Sequence, residues 1–198
     1  VFSPRPGGDF PVLSLPARSF FKTRAFLKIQ DGCNSFCTYC IVPYTRGRSV
    51  SMPPDKVLAA VGSLAASGYR EIVLSGIHLG AYGLDLSPPT ALRVLLARIA
   101  DGRPGERIRL SSIEPAEITP EMIQLVADSE IFCPHFHIPL QSGADTILQK
   151  MGRPYSASFF GDLVHRIQAE VPGAAIGADV LAGFPGEGEK EFAATCDL

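Results

Sequence analysis

The feature that most constrains this chain is a repeated order: a short apolar run followed by an amphipathic helical pattern, recurring from Arg24 to the end of the sequence. Strands are expected over residues 25–30, 71–74, 107–111, 136–140 and 174–181. Pro54 suits a first helical turn, with Val57, Leu58, Val61, Leu64 and Ala65 on one face and Gly68 as the stop. Thr90 is expected to cap a helix that buries Leu92, Leu95, Leu96 and Ile99, ended by Gly102. Thr119-Pro120 opens another, using Ile123 and Val126. A fourth runs through Phe159, Phe160, Leu163, Val164 and Ile167 and stops before Pro172-Gly173, and residues 189–195 begin a fifth. Strand-then-helix units in series imply right-handed crossovers and a parallel sheet. A spacing of roughly 33–38 residues per unit suits a (β/α) barrel, but a closed one typically takes ~250 residues. The chain has 198. The expected fold class is therefore α/β: an open partial barrel of five βα units, cut before a sixth. Residues 1–22, with four prolines and no apolar period, read as an interdomain linker or tail, leaving 23–198 as the folded domain.

Strand parity sharpens this expectation. With Leu27, Ile29, Ile72, Leu74, Ile108, Leu110, Phe136, Ile138, Leu140, Ile176 and Val180 facing the helices, the alternate positions include Lys28, Gln30, Ser75, Arg109, Ser111, His137, Gln141 and Asp179. Barrel interiors are ordinarily filled by branched apolar side chains. A polar interior calls for a polar occupant, or for a network in which these residues satisfy one another.

With 46% hydrophobic and 19% charged residues, the chain can bury a core and is not a disordered segment. No apolar run approaches the ~20 residues of a membrane-spanning helix, and no secretory leader opens the sequence. A soluble cytoplasmic domain with no membrane partner is expected. The net charge of −2 hides an asymmetry: residues 1–60 hold eight Lys/Arg against three Asp/Glu, and the remainder is acidic. A basic N-terminal third is compatible with a phosphate-bearing partner, or with chance.

Three of the five cysteines crowd into Cys33-Asn34-Ser35-Phe36-Cys37-Thr38-Tyr39-Cys40, a C-x3-C-x2-C run directly after the first strand. An odd count in so tight a group speaks for reduced thiols rather than a disulfide framework. Thiolates at this spacing can converge on one metal centre, and soft sulfur ligands select zinc or iron–sulfur clusters. A structural zinc site takes four protein ligands. Cys133 and Cys196 stand alone, and His78 or His135 would be an ad hoc fourth. A four-iron cluster on three cysteines leaves one iron open.

The run from Asp31-Gly32-Cys33 through Cys40, continuing Ile41-Val42-Pro43-Tyr44-Thr45-Arg46-Gly47-Arg48-Ser49, resembles the methylthiotransferases of the radical S-adenosylmethionine (SAM) superfamily. So do the stretches from His137-Ile138-Pro139 to Gly143 and from Asp179-Val180-Leu181 to Glu187. The loop Leu74-Ser75-Gly76-Ile77-His78-Leu79-Gly80 is similar to the branch acting on threonylcarbamoyladenosine in tRNA. The isopentenyladenosine branch and the branch acting on a ribosomal-protein aspartate carry Gln where this loop has Ile-His. In the family, an amino-terminal domain holds a second [4Fe–4S] cluster on three cysteines of its own; nothing before Cys33 contains cysteine. The chain is thus expected to be the central radical SAM domain of a longer enzyme.

The resemblance implies that Cys33, Cys37 and Cys40 hold a [4Fe–4S] cluster whose fourth iron chelates SAM. One electron from a donor protein would then split the sulfonium. The implied reaction replaces the C2 hydrogen of a modified adenosine beside the tRNA anticodon with a methylthio group. SAM contacts are expected from Tyr39 and Ile41 (adenine), Ser75 and Gly76 (the amino-acid portion), Ser112 and Glu114 (ammonium or ribose), Gln141 and Asp179. The alternative for Tyr39 is core packing; Glu114 could equally be a loop residue, and Asp179 a partner of Arg109 or Lys28. Arg46 and Arg48 are candidates for SAM carboxylate or tRNA phosphate, or are solvated arginines, and His78 for the modified adenosine. The competing reading of another class is a non-enzymatic zinc-binding RNA module on the same cysteines.

Overall fold

The computed structural model describes Phe10 and residues 23–198; the linker expected over residues 1–22 otherwise lies outside the described residues. In chain order the first elements are β1 (Arg24–Lys28), β2 (Gln30–Asp31), α1 (Val42–Arg46), β3 (Val50–Ser51), α2 (Pro54–Ala66) and β4 (Glu71–Ser75). There follow α3 (Leu92–Gly102), β5 (Ile108–Leu110), α4 (Pro120–Asp128), β6 (His135–His137), α5 (Asp145–Met151), α6 (Ala157–Glu170), β7 (Ala175–Gly177) and α7 (Glu189–Asp197).

Ala25 and Leu27 are buried while Arg24 and Phe26 are exposed, the two-residue period of a strand covered on one face. β4 sits between β1 and β5, all parallel, with Leu27 opposite Leu74 and Leu74 opposite Leu110. A parallel bridge from Ile108 to Phe132 carries the wall toward β6, which pairs parallel with β7. The strands therefore follow one another in chain order, and no pairing of β7 with β1 closes the ring among the described residues. This is the open, parallel βα array anticipated from the sequence.

The helices cover the outer face. Val57, Val61 and Leu64 of α2, Leu95, Leu96 and Ile99 of α3, Ile123 and Val126 of α4, and Phe160, Leu163 and Ile167 of α6 share one core with Leu27, Ile72, Leu74, Ile108, Leu110, Phe136 and Ile138. The Thr119 side chain accepts the Met122 N–H and caps α4, and Ser156 does the same for α6 through Phe159. Among the described residues no helix is long and apolar enough to cross a membrane.

Four expectations change. Thr90 does not cap α3: Ala91 holds that place without a side-chain bond, because the Thr90 N–H is drawn to the Gly83 carbonyl. The first strand stops at Lys28, and Gln30–Asp31 swings into an antiparallel pair with Val50–Ser51. The fourth and fifth strands are joined by two helices, the short α5 preceding α6. The fifth strand ends at Gly177, and Val180, expected to face the helices, is 51% exposed; it meets Gln141 through an isolated bridge.

Candidate functional site

The thiol-bearing loop leaves the C-terminal end of β1 and is clasped at its base. The β2–β3 pair joins its two ends, and the Cys33 N–H donates to the Gly47 carbonyl. Gly32 sits at φ +72°, where a side chain is strained, and a Cβ there would stand 2.0 Å from the Arg48 carbonyl oxygen. Gln30, fully buried, donates through Nε2 to the Asp31 and Gly32 carbonyls and the Ser49 hydroxyl. Asp31 receives Lys28 at 2.7 Å, with Arg46 3.6 Å away.

Cys33, Cys37 and Cys40 line one cavity of about 320 Å³ at the C-terminal ends of the strands, where βα enzymes place their sites. Tyr39, Ile77, His78, Ser112, Glu114, Gln141, Arg153 and Asp179 also line it. Among the described residues, no three His, Cys, Asp or Glu side chains are grouped to hold a single metal ion. A cubane offers its irons at separate corners, so it suits thiolates spread around a hollow rather than closed on a point. The all-sulfur donor set and its hollow fit an iron–sulfur cluster.

The cavity is electrostatically prepared. The Arg153 side chain, only 4% exposed, is paired with Glu114. Its Nη1 donates to Cys37 Sγ at 3.3 Å, and its Nε to the Tyr155 hydroxyl at 3.1 Å. Tyr155 donates its own O–H to the Pro139 carbonyl. Burial pushes the Tyr39 phenol up to about 12, which keeps it neutral against the edge of the Phe184 ring. Burial also opposes ionisation of Cys33, but hydrogen bonds from His78 and Ser35 outweigh it and lower the thiol. The His78 imidazole is held up at about 10 by Cys33 and by Glu117.

Of the expected contacts, Tyr39, Ser112, Glu114, Gln141 and Asp179 reach the cavity with the three cysteines. Ile41, Ser75 and Gly76 do not line it. Ile41 is exposed just ahead of α1 and Val42 takes its place; Gly76 packs on Gln30, leaving the wall to Ile77, His78 and Leu79. Asp179 meets His137 Nε2 at 2.9 Å rather than Arg109 or Lys28, because Arg109 is held by Glu71 and Lys28 by Asp31. His78 turns inward to Cys33 and Glu117. Arg46 leans on Asp31, and Arg48 is exposed. Cys133 is buried just ahead of β6 and does not line the cavity. Arg153 and Glu117 went unread in the sequence; Arg153 lies in the turn between α5 and α6 and Glu117 in the connection after β5, and neither place carries a motif.

An open parallel βα array with three thiols around a hollow at its C-terminal mouth defines a metal-cluster enzyme of the partial-barrel class. Residues 27–198 match the family model described as the Radical SAM superfamily. The chain belongs to that family: it is an iron–sulfur radical SAM enzyme domain that uses a [4Fe–4S] cluster and SAM. It is 44% identical over 174 residues to the threonylcarbamoyladenosine tRNA methylthiotransferase MtaB of Bacillus subtilis (strain 168), covering 88% of this chain and 39% of the relative. It is 40% identical over 184 residues to the tRNA-2-methylthio-N(6)-dimethylallyladenosine synthase of Thermoanaerobacter pseudethanolicus, covering 93% and 39%. The chain thus spans about two fifths of the length of these curated relatives. Among solved structures, the radical SAM methyltransferase TsrM of Kitasatospora setae superposes with a TM-score of 0.71 at 22% identity, over 87% of this chain and 33% of that one. The cobalamin-dependent SAM radical enzyme OxsB gives 0.68 at 14% identity, over 87% and 26%. These two show the fold.

Proposed function

We propose that this chain is the radical-generating core of a tRNA methylthiotransferase, and that its substrate is an adenosine carrying an N6-threonylcarbamoyl group. The observation that carries the reading is the convergence of Cys33, Cys37 and Cys40 with Tyr39, Glu114, Gln141 and Arg153 on one cavity. When bound, the cluster supplies the electron that splits SAM. The remaining work falls to side chains. Glu114, held by Arg153 and itself a quarter exposed, offers a carboxylate oxygen to the ammonium of an amino-acid moiety, the neutral Tyr39 ring offers a face to adenine, and Gln141 and Asp179 offer hydrogen bonds to a ribose. Arg48, exposed just before β3, is the candidate for a phosphate of the RNA. The threonylcarbamoyl branch is supported by the Ile77-His78 loop and the Bacillus subtilis relative; the dimethylallyl-adenosine relative supports the same chemistry on the other nucleoside. Sulfur insertion in this reading needs the second cluster of an amino-terminal domain, so these residues alone are expected to cleave SAM without completing methylthiolation.

The test is anaerobic reconstitution with iron and sulfide, then SAM and dithionite. Formation of 5′-deoxyadenosine is expected; its absence from cluster-loaded protein would overturn the enzymatic reading, and one zinc with no sulfide would establish the binding module. Nucleoside mass spectrometry of tRNA from a deletion strain separates the substrates. Loss of the methylthio mark from threonylcarbamoyladenosine alone is the expected result, and loss from isopentenyladenosine would reassign the branch.

A further inference from the structure

The loop after β4 carries an arrangement that the proposed reaction leaves unexplained. The His78 side chain is only 14% exposed, with Nδ1 3.5 Å from Cys33 Sγ and 3.3 Å from the Ser35 hydroxyl. Nε2 lies 2.7 Å from Glu117 Oε1 as an ion contact, and among the described residues both Nε2 and the second Glu117 oxygen are buried without a hydrogen-bond partner. The backbone is pinned as well, the His78 N–H donating to Gln30 Oε1 at 2.7 Å. Room for the carboxylate comes from Gly80: a Cβ there would stand 1.9 Å from Glu117 Oε2. At 3.5 Å, Nδ1 can donate its proton to the Cys33 sulfur, and the contact at Nε2 holds the ring in that orientation. The ring is braced on both sides, with one N–H aimed at a sulfur that also accepts the Ser35 N–H at 3.4 Å.

We infer that His78, braced by Glu117, is a positioning residue that donates a hydrogen bond to the Cys33 thiolate and raises the reduction potential of the cluster held there. The inference rests on the cluster reading above. Donors to cluster sulfurs draw off electron density and favour the more negative, reduced state, and hydrogen bonding of this kind is a principal lever on iron–sulfur potentials. A higher potential eases the uptake of an electron from the donor, at the expense of driving force for its transfer to SAM. A loop that differs between substrate branches would then set electron affinity rather than touch RNA.

The experiment is an anaerobic redox titration of the cluster-loaded protein with dithionite and mediators, read by electron paramagnetic resonance of the reduced cluster, with iron and sulfide determined on each sample. At a fixed ambient potential, His78→Ala is expected to lower the reduced-to-oxidised ratio about tenfold, a shift of ~59 mV for one electron. His78→Gln, which keeps an N–H donor on a more flexible side chain, and Glu117→Gln, which loosens the brace, should shift it the same way by less. Wild-type potential in a fully loaded His78→Ala protein overturns the inference and leaves the cluster reading standing. A His78→Ala cluster whose resonance shows a lost nitrogen ligand overturns it too, in favour of direct ligation. Wild-type protein that takes up no iron overturns both.

Discussion

Replacing Arg153 with methionine keeps most of the side-chain volume and removes its guanidinium from the cavity wall. Arg153 is 4% exposed and its partner Glu114 is 25% exposed, so the substitution strands a carboxylate that water reaches only in part. Breaking one side of a buried ion pair costs ~3–5 kcal/mol, and partial hydration of Glu114 places this case near the lower end. Loss of the bonds to Tyr155 and Cys37 adds up to about 1 kcal/mol. Together that is about 3–4 kcal/mol, or roughly 6–16 °C in Tm for a chain of this size. Urea unfolding of the metal-free, thiol-reduced protein, followed by far-ultraviolet circular dichroism, measures it. The double variant Arg153→Met/Glu114→Leu removes both charges and should recover at least about half of the loss, since an apolar pair can replace a buried ionic one at little cost. A single-variant loss below about 1 kcal/mol, or additivity of the two single losses to within ~0.5 kcal/mol, would refute the reasoning, because independent sites add and coupled ones do not.

Gly32→Ala should release the base of the cluster loop, since its methyl meets the Arg48 carbonyl oxygen at 2.0 Å; iron bound per chain after reconstitution is expected to fall by more than half. Thr119→Ala removes the N-cap of α4 and should cost about 1 kcal/mol in urea unfolding, with no change in iron content. Hydrogen bonds and charge from Arg109, with Arg24 and Arg107 beside it, hold the Glu71 carboxyl below its ordinary 4.5. A depressed carboxyl stabilises the fold above the unfolded value and stops doing so as pH falls through the folded one. The stability gap between wild type and Glu71→Gln should therefore be full at pH 6 and narrow as pH drops from 4.5 toward 3, as read from unfolding curves at each pH.

Elements governed by local pattern were legible in the sequence, and those governed by distant partners were not. Leu27 and Ile108 announced themselves because a strand covered on one face repeats every second residue, whereas Ile72 and Leu74 stood out as part of the continuous apolar run of β4, which is buried on both faces. The faces of α2, α4 and α6 followed from the helical period, and the cap at Thr119 from a hydroxyl before proline. Thr90 carried the same kind of signal yet failed, because the Gly83 carbonyl claims its N–H across the preceding turn. α5 escaped notice because its short run gives too few turns for the period to show. The cysteine spacing pointed to one centre without any tertiary knowledge. That Arg153 reaches Cys37, and that Glu117 braces His78, depends on loops from different strands meeting at the barrel mouth. The polar inner face proved to be divided: Lys28, Gln30 and Arg109 are occupied with neighbours, while Gln141 and Asp179 look into the cavity.

The clasp beneath the cysteine loop has a consequence for the life of the enzyme in the presence of oxygen. Because Gln30–Asp31 and Val50–Ser51 already hold residues 32–49 as a ring, arriving iron need not supply the roughly 2–3 kcal/mol that closing a loop of that length takes. An oxidised centre can then disintegrate and be rebuilt on the same hinge while the strands behind it stay folded, making repair a matter of inorganic supply rather than of new protein synthesis.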